Sequence, residues 1–299
     1  MLTLHNESRS GKIEIFSFYL ICMIILSTIV IQLINYLHYM FQGIIYLPYD
    51  LVIKLSLLLI LIRIGSSLAL APYNKLIFKL DNFIYIFFIV SLISFYTSAI
   101  QLTPYSLIDL KLLNIDKLLH ISTKDLLIFT YQHPALYQFL QISYALLNFE
   151  LTIILLSIVI FYDKKTQNQF IFLLLFTSFV GFNIYYFFPT VAPAGIIDSP
   201  LFLPEQKATS LKFFQIHHYL DPTTMKGGLI AMPSFHTIWS MLCQYYISKR
   251  SNLLGYIILP LNVGIVIACL LLGWHYMIDI LASIVIVLGS IKLSNMIMT

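Results

Sequence analysis

Charge is what this sequence has least of: 17 Lys and Arg and 13 Asp and Glu in 299 residues, or 10% of the chain, against 60% hydrophobic residues and a mean hydropathy of +0.90. So few charges cannot clothe a soluble globule, and the composition indicates a polytopic membrane protein instead. Cysteine is also scarce. Cys22, Cys243 and Cys269 fall inside apolar runs without paired spacing, which argues against a disulfide or zinc framework and leaves each thiol reading as a small hydrophobe. The net charge of +4 is small and confined to short loops, so no nucleic-acid partner is indicated. There is no internal repeat, low-complexity linker or soluble domain. The first apolar stretch, near 15–36, is longer than a signal-peptide core and lacks a small-residue cleavage site, so it reads as a membrane span and the mature chain is expected to begin near Met1.

What the chain does have is a series of apolar stretches of roughly 20 residues, near 15–36, 51–72, 82–101, 134–162, 169–188, 252–272 and 275–297, with a shorter one near 234–248. They predict an all-α integral membrane protein of about eight transmembrane helices. Arg9 and Lys12, Lys75 and Lys79, Lys164 and Lys165, Lys249 and Arg250, and Lys292 alternate onto one face, which the excess of positive charge in inner loops makes cytoplasmic. The opposite face receives 37–50, 102–133 and 189–233. Residues 102–133 alternate charge and leucine like an amphipathic segment lying on the bilayer. The 189–233 loop carries Pro189, Pro193, Pro200, Pro204 and Pro222, so a continuous helix is not expected there, and the loop reads as a lid or headgroup cap.

Two short patterns carry chemistry. Pro233-Ser234-Phe235-His236 opens the short stretch, where Pro233 and Ser234 make a helix start and the first amides are free to bind an anion. Ser234, Phe235 and His236 would then present amide dipoles, a hydroxyl and an imidazole to one phosphate. His275 and Asp279 lie one helical turn apart on the last span, so the carboxylate is expected to accept a hydrogen bond from one ring nitrogen and aim the other outward. A second imidazole, His236, could protonate a leaving oxygen and later deprotonate an acceptor. Both patterns fall on the non-cytoplasmic side. Lys207, Lys212 and Lys226 in the cap loop could supply positive charge, with Lys226 chosen as the substrate-binding candidate.

These residues resemble the type 2 phosphatidic acid phosphatase superfamily, whose second signature is Pro-Ser-x-His and whose third carries His-x-x-x-Asp. The resemblance covers roughly residues 82–297. It implies a six-helix core and metal-independent chemistry without a cofactor, with His275 as nucleophile, Asp279 as its partner and His236 as the acid. Residues 1–81 would be two added N-terminal helices and 82–299 the catalytic membrane domain. The phosphatases' first signature, a lysine followed after six residues by Arg-Pro, is absent, and Ala268-Cys269 stands where the third signature has Ser-Arg. That pattern is similar to the lipid phosphotransferase branch, the inositol phosphorylceramide and sphingomyelin synthases. Tyr185-Tyr186-Phe187-Phe188-Pro189-Thr190-Val191-Ala192-Pro193 and Gly273-Trp274-His275-Tyr276 add to that likeness.

Charges inside spans need partners or a cavity. Arg63 and Glu150 are estimated to lie at similar depth, which suggests an ion pair tying the second span to the fourth; snorkelling of Arg63 and a protonated Glu150 are the alternatives. Trp274, Tyr276, Tyr185 and Tyr186 fall where interfacial aromatic belts form. The expected function is transfer of a phosphate or phosphoalcohol headgroup from a membrane lipid through a phosphohistidine, at the non-cytoplasmic surface. The alternatives are a lipid phosphate phosphatase releasing orthophosphate and a transporter or scramblase without chemistry. Haem ligation by His236 and His275 is disfavoured, because both begin their helices at the surface. The partners implied are the lipid substrate and the bilayer.

Overall fold

The computed structural model describes residues 2–45, 47–71, 74–228 and 230–299, with side chains from residue 11 onward. Met1, where the mature chain is expected to start, and the Arg9 side chain lie outside the described residues. Among those described, the chain is helical with no strand. The helices are α1 (Leu2–Ile34, prolonged by a π-turn over Asn35–Tyr39), α2 (Tyr49–Ala69), α3 (Lys75–Ile100), α4 (Asp109–Leu118), α5 (Thr123–Gln132), α6 (Pro134–Phe161), α7 (Lys164–Phe187), α8 (Pro204–His217), α9 (Phe235–Arg250), α10 (Asn252–Leu271) and α11 (Met277–Met298). Seven of them, α1 from Gly11, α2, α3, α6, α7, α10 and α11, are long and apolar enough to cross a membrane. This is a multi-pass integral membrane protein. The short stretch expected near 234–248 is α9, whose 16 residues rise only ~24 Å, less than a ~30 Å hydrocarbon core. It is enclosed by α6, α10 and α11.

Helix ends follow from local chemistry. Asn74, Ser122, Asp163, Ser234 and Ser251 each precede a helix and accept a hydrogen bond from the amide of Leu76, Asp125, Thr166, Thr237 and Leu254 respectively. Pro134 and Pro204 occupy the first turns of α6 and α8, where the missing N–H leaves nothing unpaired. The prolines of the 189–233 loop therefore start a helix as well as prevent one: that loop contains a 3-10 turn at Pro193–Gly195 and the 14-residue α8. The 102–133 segment forms two helices that dock on the bundle, α4 against α11 and α5 against α10 and α6.

The core centres on α7, which packs on α1, α3 and α11, while α6, α9 and α10 form a second group joined to it through α11 and through α6 against α3 and α7. α1 is no mere appendage, because Ile13, Leu20, Ile21, Ile24 and Ile31 enter the main hydrophobic core. α2 buries nothing and packs mainly on α3, leaving Leu61 and Leu68 to face lipid.

The suggested Arg63–Glu150 pair does not form. Arg63 makes a two-point contact with Asp81 of α3, the helix next to it. Glu150 faces the opposite group, where Asn262 of α10 donates to it at 2.9 Å and to Gln244 of α9 at 3.0 Å. Depth along the bundle normal could be estimated from the chain, but the azimuth that separates α2 from α6 could not. The aromatic-belt reading is corrected for Tyr185, Tyr186 and Tyr276, all buried within the protein and not exposed at an interface.

Candidate active site

α6, α9 and α11 all begin at the same end of the bundle, and this brings the two chemical patterns together. α10 ends at Leu271, and just beyond its cap lies Gly273, whose φ of +71° favours glycine and where a Cβ would come within 2.8 Å of Phe202. The chain then reverses, and the His275 amide donates back to Cys269 O at 2.9 Å. Gly181 of α7 has a different role: a Cβ there would lie 2.8 Å from the Phe235 ring, so its absence admits the Pro233–Phe235 turn.

His275 is 4% exposed. Its Nδ1 lies 2.7 Å from the Ala231 carbonyl oxygen and 3.5 Å from Asp279 Oδ2. A carbonyl can only accept, so Nδ1 carries a proton, and in the neutral imidazole Nε2 then keeps its lone pair. The expected tautomer is therefore set chiefly by a backbone carbonyl from the cap loop, not by Asp279. Asp279, on the first turn of α11, instead accepts from the Tyr276 amide at 2.9 Å, while its Oδ1 is buried without a hydrogen-bond partner. Toward the imidazole it offers a longer contact, with Oδ2 3.5 Å from Nδ1, together with its charge.

His236 is half-buried and held differently. Its ring stacks on Tyr144 of α6 at 3.9 Å between centroids and 11° between planes, and Tyr144 in turn stacks on Trp274 at 4.8 Å and 9°. The Tyr144 hydroxyl lies 3.2 Å from His236 Nδ1, but near-parallel rings place it over the imidazole face, off the in-plane direction a hydrogen bond prefers. The His236 and His275 ring centres are 6.4 Å apart. Both line a cavity of about 40 Å³, together with Tyr144, Gln206, Thr209, Trp274 and, from the cap loop, Gly228, Ile230 and Ala231. That is room for water, not for a lipid headgroup.

The remaining expected residues sit nearby but face elsewhere. Ser234 is fully buried; its hydroxyl caps α9 through Thr237 N at 3.3 Å and touches Cys269 Sγ at 3.5 Å, and its amide points to Asp279 O at 3.4 Å. Phe235 packs on Phe182 and Trp239 in the core. Lys226 pairs with Glu205 on the surface at 3.2 Å; the Glu205 backbone amide first, and Lys226 after it, hold that carboxyl below its usual range. Lys212 is wholly buried and donates to Gly227 O at 3.0 Å; burial pushes its ammonium down to about 8. Among the described residues, no lysine or arginine lines the cavity shared by the histidines. Among the described residues, no group of three or more His, Cys, Asp or Glu is placed to hold a metal ion.

Sequence reasoning missed Tyr144, Asp109 and Asp116. Tyr144 had no signal, being one aromatic among many in a long apolar helix. Asp109 and Asp116 had one, since a seven-residue spacing with Leu112 between puts all three on a single helix face. All three are buried. Asp109 accepts from Val191 N at 3.1 and 3.2 Å and from the Tyr276 hydroxyl at 3.2 Å. Asp116 accepts from Met277 N at 3.2 and 3.3 Å. Burial pushes Asp109 up to about 7 against the pull of those donors, and raises Asp116 as well. Burial, with Asp109 beside it, raises the Tyr276 phenol.

No curated protein and no solved structure matches this chain. A family model described as the PAP2 superfamily matches residues 110–293, which take in α4 to most of α11 and both histidine patterns. With more than half its length matched, the chain belongs to the PAP2 superfamily.

Proposed function

We propose that the protein is a membrane lipid phosphotransferase in which His275 Nε2 attacks the phosphorus of a lipid donor. Membership of the PAP2 superfamily supports a lipid phosphatase or phosphotransferase type of activity. The observation that carries the mechanism is the commitment of His275 Nδ1 to Ala231 O, which leaves the other nitrogen's lone pair available beside a cavity shared with His236. In the first displacement the Nε2–P bond forms as the bond to the leaving oxygen breaks, and His236 gives that oxygen a proton. In the second, His236 removes a proton from the acceptor hydroxyl, whose oxygen displaces phosphorus from Nε2. Asp279 stabilises the imidazole as it gains positive character. Both displacements are set at the non-cytoplasmic end, where the sequence puts few unmatched positive charges.

The finer assignment is a phosphodiester donor and a lipid alcohol acceptor, as in an inositol phosphorylceramide synthase. A diester carries one negative charge where a monoester carries up to two, and among the described residues no guanidinium or ammonium lines the cavity to balance the second. Cys269, in the position where the phosphatases have arginine, is buried against Ser234 and Thr237. A second reading, hydrolysis, is favoured by one observation, that the cavity has the size of water. Purified protein incubated with a panel of phospholipids, with and without diacylglycerol or ceramide, should yield a new phosphoalcohol lipid detected by mass spectrometry. Orthophosphate as the sole product would replace the transferase reading by the phosphatase one.

A further inference from the structure

α4 is a poor candidate for a structural helix. Leu110 and Leu118 are 65% and 80% exposed, and what holds the helix down is one stripe made of Asp109, Leu112 and Asp116. Two of those three side chains are carboxyls placed in a buried setting, where a serine or asparagine would cap α11 at lower desolvation cost. Both reach the two residues that follow His275. Asp116 holds the Met277 amide, the first of α11, and Asp109 holds the Tyr276 hydroxyl. Asp279 holds the Tyr276 amide. Asp109 also grips Val191 N, next to Ala192, whose φ of +68° is unusual for a residue with a side chain and which lines the cavity. The backbone leaving His275 is thus fixed at consecutive positions by carboxylates from two helices.

We propose that α4 is the positioning element of the His275 site, with Asp116 fixing the first turn of α11 and Asp109 fixing Tyr276 and the Val191–Ala192 wall. The imidazole then keeps a single direction toward the cavity. Neither residue touches the reacting atoms. The kinetic consequence rests on the function proposed above, whereas the structural one does not.

The test combines kinetics with ¹⁵N spectra of histidine-labelled protein in lipid nanodiscs, with His275→Ala identifying the His275 signals. Asp116→Ala should slow phosphoenzyme formation about a hundredfold, the scale of a small misplacement at a reacting group, with KM within about twofold. Asp116→Asn, whose amide oxygen can still accept from Met277 N, should recover most of that rate. Tyr276→Phe removes one hydroxyl from the Asp109 contact without leaving a cavity, so it keeps the test usable if Asp116→Ala does not fold, and should cost about tenfold. In the spectra, wild type should show one His275 tautomer protonated at Nδ1, and Asp116→Ala and Tyr276→Phe a second population. Unchanged tautomer and unchanged rate in these variants would overturn the proposal, as would equal losses in Asp116→Asn and Asp116→Ala. If wild type forms no phosphoenzyme, the proposed function fails, and the tautomer signals still decide the role of α4.

Discussion

The two histidines of the site sit 6.4 Å apart and are held by different forces. His275 is nearly buried and pinned by directional bonds: a carbonyl on Nδ1, Cys269 O on its amide, and carboxylates on the next two residues. His236 is half-buried in a stack with Tyr144 and Trp274, which fixes the plane of its ring. The contrast matches the work proposed for each. A nucleophile must meet phosphorus along one line, whereas the leaving and the entering oxygen in turn occupy the same position opposite Nε2, so one imidazole held in a plane there can serve both.

The contrast can be broken from either side. Short of removing the nucleophile itself, the largest effect is expected for His236→Ala, which should lower turnover of a lipid donor by about 10²–10⁴-fold, the usual worth of general acid–base help. With an aryl phosphodiester, whose leaving group needs no proton, the same variant should capture the phosphoryl group and then stall, so that phosphoenzyme accumulates; equal loss with both donors would remove His236 from the acid role. Asp279→Asn comes next. Because Ala231 O already fixes the tautomer, the loss should stay near ten- to a hundredfold, well short of the ~10⁴ seen where a carboxylate alone sets a histidine's tautomer. A loss of that larger size would return the orienting role to Asp279.

Loosening the stack should act more gently. Tyr144→Leu or Trp274→Leu is expected to change kcat by less than about tenfold while moving KM, because these rings bound a cavity that must open to admit a headgroup. A large kcat loss at constant KM would show that His236 is as rigidly placed as His275. Asp109 offers a pH test on the pinned side. Its folded-state value of about 7 lies above its ordinary 3.8, so the folded protein binds the extra proton and stability should fall as pH rises from about 4 through 7. Asp109→Asn should flatten that slope, by a few kcal/mol at most across the window. Thermal unfolding at pH 5 and pH 8 reads the difference, and identical slopes would contradict it.

Much of this was legible in the sequence. Apolar run length located the seven long spans and the short α9, and the spacings in Pro233–His236 and His275–Asp279 located both histidines, because helical periodicity and capping are local properties. The partners were not legible. Arg63 found Asp81 and not Glu150 because side-to-side arrangement of helices is set by packing. Ala231 reaches His275 across 44 residues of chain through a backbone carbonyl, which no residue type announces. Tyr144 and His236 meet across 92 residues, and only the fold makes one tyrosine among twenty different.

The account stands most directly on where the transferred group is first attached. Acid-free quenching of the protein with a reactive phosphodiester, followed by peptide mass spectrometry, should find the covalent phosphoryl group on His275 in wild type and in His236→Ala, and on no residue in His275→Ala. Attachment to His236 or to a hydroxyl, or turnover that persists in His275→Ala, would contradict it.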